Sequence, residues 1–278
     1  MTLSIAIADR GGLDTMVGWA AREGWNPGLD DAAPFFAADP GGFLIGRIDG
    51  EPVASISVVR TGSDFAFLGF YICRPEWRGR GHGWAIWQAG MARLDGRTVG
   101  LDGVVAQQDN YRKSGYVLAH RNIRHGGLTS MAAPQDRRLV PLSSVPYAQV
   151  AAYDAACFGR PRDAFLRSWL AGGSRRGLAV VDGGLRGFGV VRPCGKGHKI
   201  GPLFADDETS AELLFQGLAA TVPGEELFLD TPEPNAAAVA LARRHGLAPV
   251  FETARMYRGA DPRLPLPRIF GITSFELG

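Results

Sequence analysis

Residues 65–94 read FAFLGFYICRPEWRGRGHGWAIWQAGMARL. The first nine, Phe65 to Cys73, carry no charge, which suits a central strand covered on both faces. Pro75 ends that strand, and Trp84, Trp87, Met91 and Leu94 then recur at spacings of 3, 4 and 3, the single apolar stripe of an amphipathic helix. Between strand and helix lies Arg78-Gly79-Arg80-Gly81-His82-Gly83. Such a turn gathers unpaired backbone N–H groups at a helix start, where the positive dipole end favours an anion and glycines let it approach the main chain. The spacing is R-x-x-G-x-G, matching neither the G-x-G-x-x-G of dinucleotide folds nor the P-loop. No lysine follows to hold a terminal phosphate, which argues against a nucleotide-binding kinase.

Upstream, Leu13 to Glu23 reads as a helix, followed by a turn-rich loop that carries Asp30, Asp31 and Asp39. Phe43 to Ile48 and Val53 to Val59 flank Asp49-Gly50 and form a hairpin. Downstream, a strand at Arg97 to Leu101, a short helical piece at Asn110 to Lys113 and a strand from Tyr116 complete an α/β unit over residues 1–128. Residues 129–138, with two prolines in the stretch TSMAAPQDRRLVP, read as a linker. The order then repeats in residues 139–278: a helix at Tyr147 to Cys157, strands at Leu178 to Val181 and Leu185 to Val191, and the apolar strand KIGPLFA. Both halves carry Val-Val-Arg, at residues 58–60 and 190–192, shortly after an Asp-Gly turn. We read this as a diverged internal duplication.

Composition narrows the partners. Thirty Lys and Arg stand against 28 Asp and Glu, scattered along the chain, so no concentrated basic face for nucleic acid is expected. Three separated cysteines form no CxxC pair, which fits a reducing cytoplasm. No run approaches the length of a membrane span, and MTLSIAIADRGG lacks the basic and apolar regions of a leader. Neither a membrane nor a metal is expected. Glycine, at 38 of 278 residues, has no collagen-like period and mostly marks turns.

With the strand, Pro-Glu-Trp-Arg, the glycine turn and the helix in place, the segment resembles the pyrophosphate-binding loop of the GNAT superfamily of N-acetyltransferases. The resemblance implies acetyl-coenzyme A as cosubstrate, held by Arg78, Gly79, Arg80, Gly81, His82 and Gly83. It also implies a splayed strand that offers backbone groups of Tyr71 and Cys73 to the pantetheine. NYRKSGY, residues 110–116, is similar to the segment that supplies the family's general acid. By that likeness Tyr111 protonates the departing thiolate and Asn110 lies near the coenzyme, although the helix between the family's Asn and Tyr is shortened here. Cys73 contributes backbone rather than a nucleophile. A carboxylate must receive the amine proton directly or through water, and Glu23, Asp30 and Asp102 are the candidates.

In the second half, ETSAELLFQG stands where the coenzyme turn would be, with Thr209 and Glu212 spaced as a capping box. PNAAAVALARRHGL is similar to the family's Asn-x-x-Ala-x-x-Leu pattern, yet Ala242 occupies the place of the acid tyrosine. The whole chain resembles a branch in which an acetyltransferase domain precedes a second, YitH-like acetyltransferase domain; EGWNPG, Arg255-Met256-Tyr257 and GITSFELG contribute. The fold expected is two tandem GNAT-like α/β domains, each a mixed, mainly antiparallel sheet flanked by helices, the second without chemistry. The function expected is direct acetyl transfer to a small-molecule amine in a ternary complex, with room for a homodimer. A non-catalytic acyl-coenzyme A sensor is the alternative. The second half is expected to wall the acceptor pocket or to carry Glu276 into it.

Overall fold

The structure is a computed structural model and describes residues 2–278. In the first half the order is β1 (Ser4–Ile7), α1 (Arg10–Arg22), α2 (Ala32–Ala38), β2 (Phe43–Ile48), β3 (Glu51–Thr61), β4 (Phe65–Cys73), α3 (His82–Met91), β5 (Thr98–Val104), α4 (Gln108–Lys113) and β6 (Val117–Leu128). The second half follows with β7 (Leu139–Pro141), α5 (Tyr147–Phe158), α6 (Asp163–Leu170), β8 (Arg176–Val181), β9 (Leu185–Pro193) and β10 (His198–Ala205). It closes with α7 (Glu208–Ala219), β11 (Glu226–Pro232), α8 (Ala236–Arg244), β12 (Ala248–Arg258) and β13 (Ile269–Gly271).

Two local expectations change. Trp84 is 57% exposed because it falls off the face of α3 that buries Ile86, Trp87 and Met91. The start of α7 is capped by Asp207, whose carboxylate accepts from the Ser210 N–H at 2.7 Å, two residues earlier than the Thr209–Glu212 box. Glu212 is drawn away instead, accepting from Gln216 and Arg244 and contacting His245.

All the strands join one sheet in the order β1-β2-β3-β4-β5-β12-β6-β11-β10-β9-β8-β7, with β13 beside β10. The halves therefore exchange strands. β12, from the second half, lies between β5 and β6 of the first, and β6 lies between β12 and β11. Asn122 faces Thr253 across the β6–β12 pair. The offset between them is the one that separates Gly115 from Gly246 and Arg124 from Arg255, so equivalent strands meet about a pseudo-two-fold axis.

Each exchanged strand is clamped by a buried ion pair. Arg255 on β12 holds Asp102 of β5 at 2.8 and 2.6 Å, and Arg124 on β6 holds Asp230 of β11 at 2.7 and 2.8 Å. Both pairs are bidentate, the geometry in which Arg–carboxylate attraction best offsets desolvation. On one face of the sheet a single apolar cluster draws Leu13, Phe35 and Phe70 from the first half and Trp169, Phe188 and Phe275 from the second. On the other face α3 covers the first half, and α7 with α8 covers the second.

Candidate active site

β4 and β5 run parallel and pair only from Phe65 to Leu68 against Thr98 to Leu101. Beyond Leu68 they part, although β4 stays paired to β3 as far as Cys73. At the point of parting Phe70 adopts a left-handed φ of 45° and the β3–β4 register shifts. A bulge of this kind turns a strand away from its neighbour and leaves backbone groups free on one edge. The edge of Gly69 to Cys73 that faces β5 is thus open to a ligand.

At the far end of that edge sits the glycine turn. Gly79 and Gly81 have φ of 75° and 83°, and a Cβ built on either meets nothing within 4 Å. Gly81 is the N-cap of α3 and supplies no side-chain cap, so the first N–H groups of the helix face open space. Trp77 carries both neighbours, with the His82 ring at 5.7 Å and the Arg80 guanidinium 5.1 Å above it. Arg78 folds back, donating to the Cys73 carbonyl at 2.8 Å and to Glu23 at 2.6 Å. This surface fits a pyrophosphate through backbone donors and Arg80.

A cavity of about 320 Å³ occupies the split between β4 and β5. Tyr111 lines it, 7% exposed, with its ring stacked on Trp87 at 5.8 Å. Burial and the neighbouring Tyr71 push the Tyr111 phenol above its ordinary range, so it keeps its proton at neutral pH. Gly103 makes room for that ring, since a Cβ there would lie 2.2 Å from it. Tyr71 packs edge-on to Trp87, and its hydroxyl sits by Gly83. Burial raises the Cys73 thiol as well, which disfavours the nucleophilic thiolate.

The other candidates separate. Asn110 is exposed, donates to Gln107 at 2.7 Å and lies outside the cavity wall. Asp30 also lies away from the cavity, where it accepts from the Ser174 hydroxyl. Asp31 is buried between Arg192 and Arg175, and Asp39 binds Arg60, so both are structural. Glu23 does line the cavity, but Arg78 takes its carboxylate. Asp102 lines it too, with both oxygens committed to Arg255 and one also to Asn122. Neither is a free base. Of the three carboxylates expected as acceptors of the amine proton, Glu23 and Asp102 thus stand on the cavity wall already engaged by arginines, and Asp30 stands away from it.

Glu276 reaches the cavity wall from the second half. The aromatic part of the wall, Trp25, Phe70, Phe251 and Phe275, was not singled out in the sequence. Trp25 sits within EGWNPG and Phe275 within GITSFELG, and each is an isolated aromatic in a loop with no periodic neighbour. Phe251 lies on the exchanged strand, and its position follows only from the exchange.

The corresponding split of the second half is filled. β10 and β11 pair in parallel only at His198 to Ile200, and β13 then lies against β10 at Leu203 and Phe204. A Cβ on Gly201 would meet the Thr273 and Ile272 carbonyls at 2.6 and 2.7 Å. Ala242, four residues before Gly246 as Tyr111 is four before Gly115, is fully buried. Among the described residues no cluster of His, Cys, Asp and Glu is arranged to hold a metal ion, and no helix is long and apolar enough to cross a membrane.

Comparison with known proteins finds two family models side by side. Residues 13–116 match the Acetyltransferase (GNAT) family, and residues 150–271 match an Acetyltransferase (GNAT) domain. The chain is 33% identical over 262 residues to the holothin acyltransferase of Pseudoalteromonas sp. (strain SANK 73390), covering 94% of this chain and 89% of that protein. In fold it is similar to a crystal structure from Pyrococcus horikoshii classed as an acetyltransferase, with a TM-score of 0.83 at 23% identity over 99% of this chain and 96% of that one. It is also similar to a tandem GNAT protein from the clavulanic acid biosynthesis pathway, with a TM-score of 0.66 at 17% identity over 94% of this chain and 100% of that one.

Proposed function

The chain belongs to the GNAT acetyltransferase family and is an acyltransferase that draws on acyl-coenzyme A, and on that premise we propose direct transfer of an acetyl group to the amine of a small molecule held in the same cavity. One observation carries the reading. The open edge of β4, from Cys73 to Gly69, leads from the uncapped start of α3 to the cavity that Tyr111 lines. A coenzyme whose pyrophosphate rests on residues 78–83 would lay its pantetheine along that edge, against the main chain of Cys73 and Tyr71, and bring its thioester to the cavity.

Tyr111 then supplies the proton that the leaving thiolate requires. Its buried phenol keeps its proton at neutral pH and so has an O–H to offer the sulfur as negative charge builds there. The aromatic wall suits an acceptor with a flat apolar body, because Trp, Phe and Tyr faces bury such a group at little entropic cost. The named relative acts on holothin, and this supports a small-molecule acceptor here. In this reading residues 1–128 hold the coenzyme and residues 139–278 supply part of the acceptor wall without chemistry of their own.

The test is thiol release from acetyl-coenzyme A with a panel of primary amines that includes holothin. Tyr111→Phe is expected to lower kcat about 100-fold with coenzyme binding unchanged. Coenzyme binding with no turnover on any amine would instead mark an acyl-coenzyme A sensor.

A further inference from the structure

One guanidinium touches three parts of the cavity wall that come from three places in the chain. Arg124 of β6 is 3% exposed and does not itself line the cavity. Its Nη1 donates to the Trp25 carbonyl at 2.6 Å, and its Cζ lies 4.7 Å from the Phe275 ring centroid and 5.9 Å from that of Phe251. All three aromatics line the cavity. Trp25 belongs to the loop after α1, Phe251 to the exchanged strand β12 and Phe275 to the segment after β13.

The contacts engage every nitrogen of the guanidinium. Nε and Nη2 donate to the two oxygens of Asp230, which fixes the plane of the fork and leaves Nη1 to reach the loop. A cation beside an aromatic face is attracted to it, more strongly where water is excluded. Phe251 and Phe275 also meet each other, with ring centroids 6.0 Å apart. The loop is fastened next to Trp25 by the second half. Lys199 donates to the Asn26 carbonyl, the Asn26 amide exchanges hydrogen bonds with the Lys196 main chain, and the Leu29 N–H donates to the Pro193 carbonyl.

Arg255, the pseudo-two-fold counterpart, makes the same fork on Asp102 but turns its third nitrogen to the Tyr257 hydroxyl of its own strand, at 3.4 Å. It lies over Phe67, which is not part of the cavity wall. A clamp that only joined two strands would need no more than Arg255 makes. Arg124 does more, because it ties a first-half loop and the chain's closing segment to the exchanged strand.

Resting on the reading of this cavity as the site of acyl transfer to an amine, we propose that Arg124 is the positioning residue of the acceptor wall. It holds Trp25, Phe251 and Phe275 at the spacing that grips the body of the acceptor. Among the described residues its hydrogen bonds and ring contacts go to Asp230, Trp25, Phe251 and Phe275, and not to the coenzyme turn or Tyr111. A wall fixed before the acceptor arrives spares the ordering of three large side chains on binding. Its loosening therefore weakens acceptor binding and leaves the chemical step alone.

Thiol release at saturating acetyl-coenzyme A tests this, with holothin or whichever amine of the panel the wild type acetylates fastest. Arg124→Lys keeps a charge for Asp230 but loses the fork and the Trp25 contact. It is expected to raise the acceptor KM about 10-fold, with kcat and coenzyme A binding within about twofold of wild type. Phe251→Leu is expected to raise KM by a similar factor, and the two changes together by little more than either alone, since both act on one wall. If Arg124→Lys does not fold, Arg124→Met with Asp230→Leu carries the same expectation, because it replaces the pair without leaving a lone buried charge. An unchanged acceptor KM, an equal loss of kcat or of coenzyme A binding, or effects of Arg124→Lys and Phe251→Leu that multiply would each overturn the proposal. Turnover that depends on Tyr111 but not on Arg124 removes Arg124 alone. No turnover by the wild type on any amine removes both readings.

Discussion

Tyr111 and Ala242 stand four residues ahead of Gly115 and Gly246, and in the proposed function that single difference marks where chemistry is kept and where it is absent. Glu276 makes the complementary point, because its carboxylate is buried without a hydrogen-bond partner, which costs stability. Its folded pKa lies above its unfolded one. The fold therefore favours the neutral form, and the stability this contributes is complete at pH below the unfolded value and lost as pH rises through the folded one. Glu276→Gln removes that loss. Melting temperatures of variant and wild type are expected to coincide near about pH 4 and to diverge toward about pH 8, with the variant higher. A variant that melts lower at pH 8 would show the carboxylate to be a stabilising partner. At this scale the place of the R-x-x-G-x-G turn ahead of α3 and of Tyr111 on α4 was legible because each rests on a local pattern. The engagement of Glu23 by Arg78 and of Asp102 by Arg255 was not, because each partner is remote in sequence.

Among the elements, β2, β4 and α5 lie within a residue or so of their sequence expectation, since uncharged or alternating runs bounded by Asp-Gly, Pro and Gly leave little freedom. β12 shows what pattern cannot supply. Its identity as a strand is local, whereas its place between β5 and β6 depends on which edge is free when the halves meet. Arg255 records that choice: it is buried, and it gives two hydrogen bonds to Asp102 across the β5–β12 register. Removing one member of such a pair leaves the other charged, buried and uncompensated. Arg255→Leu is expected to destabilise the protein by about 3–5 kcal/mol, read from chemical denaturation, with a smaller loss if Asp102→Asn accompanies it. Equal destabilisation by the single and double changes would mean that Arg255 matters for packing on Phe67 alone.

For the molecule as a whole, the exchange of β6 and β12 couples the halves more tightly than two beads on a linker. A fragment cut within 129–138 would leave β5 without its neighbour on one side and β11 without its neighbour on the other. Each exposed edge invites self-association. The intact chain is expected to unfold in one calorimetric transition whose van't Hoff and calorimetric enthalpies agree. Each half expressed alone is expected to aggregate, and co-expression of the two to restore coenzyme binding. Two resolved transitions, or a first half that binds coenzyme by itself, would contradict this.

The strand exchange also acts as a ratchet on inheritance. Two copies joined end to end can each be shed while each still folds alone. Once they have traded strands, neither can be discarded without undoing its sibling. Under that constraint a copy is free to lose its reactivity but not its shape, and it persists as scaffolding from which a new part for the working copy can be drawn.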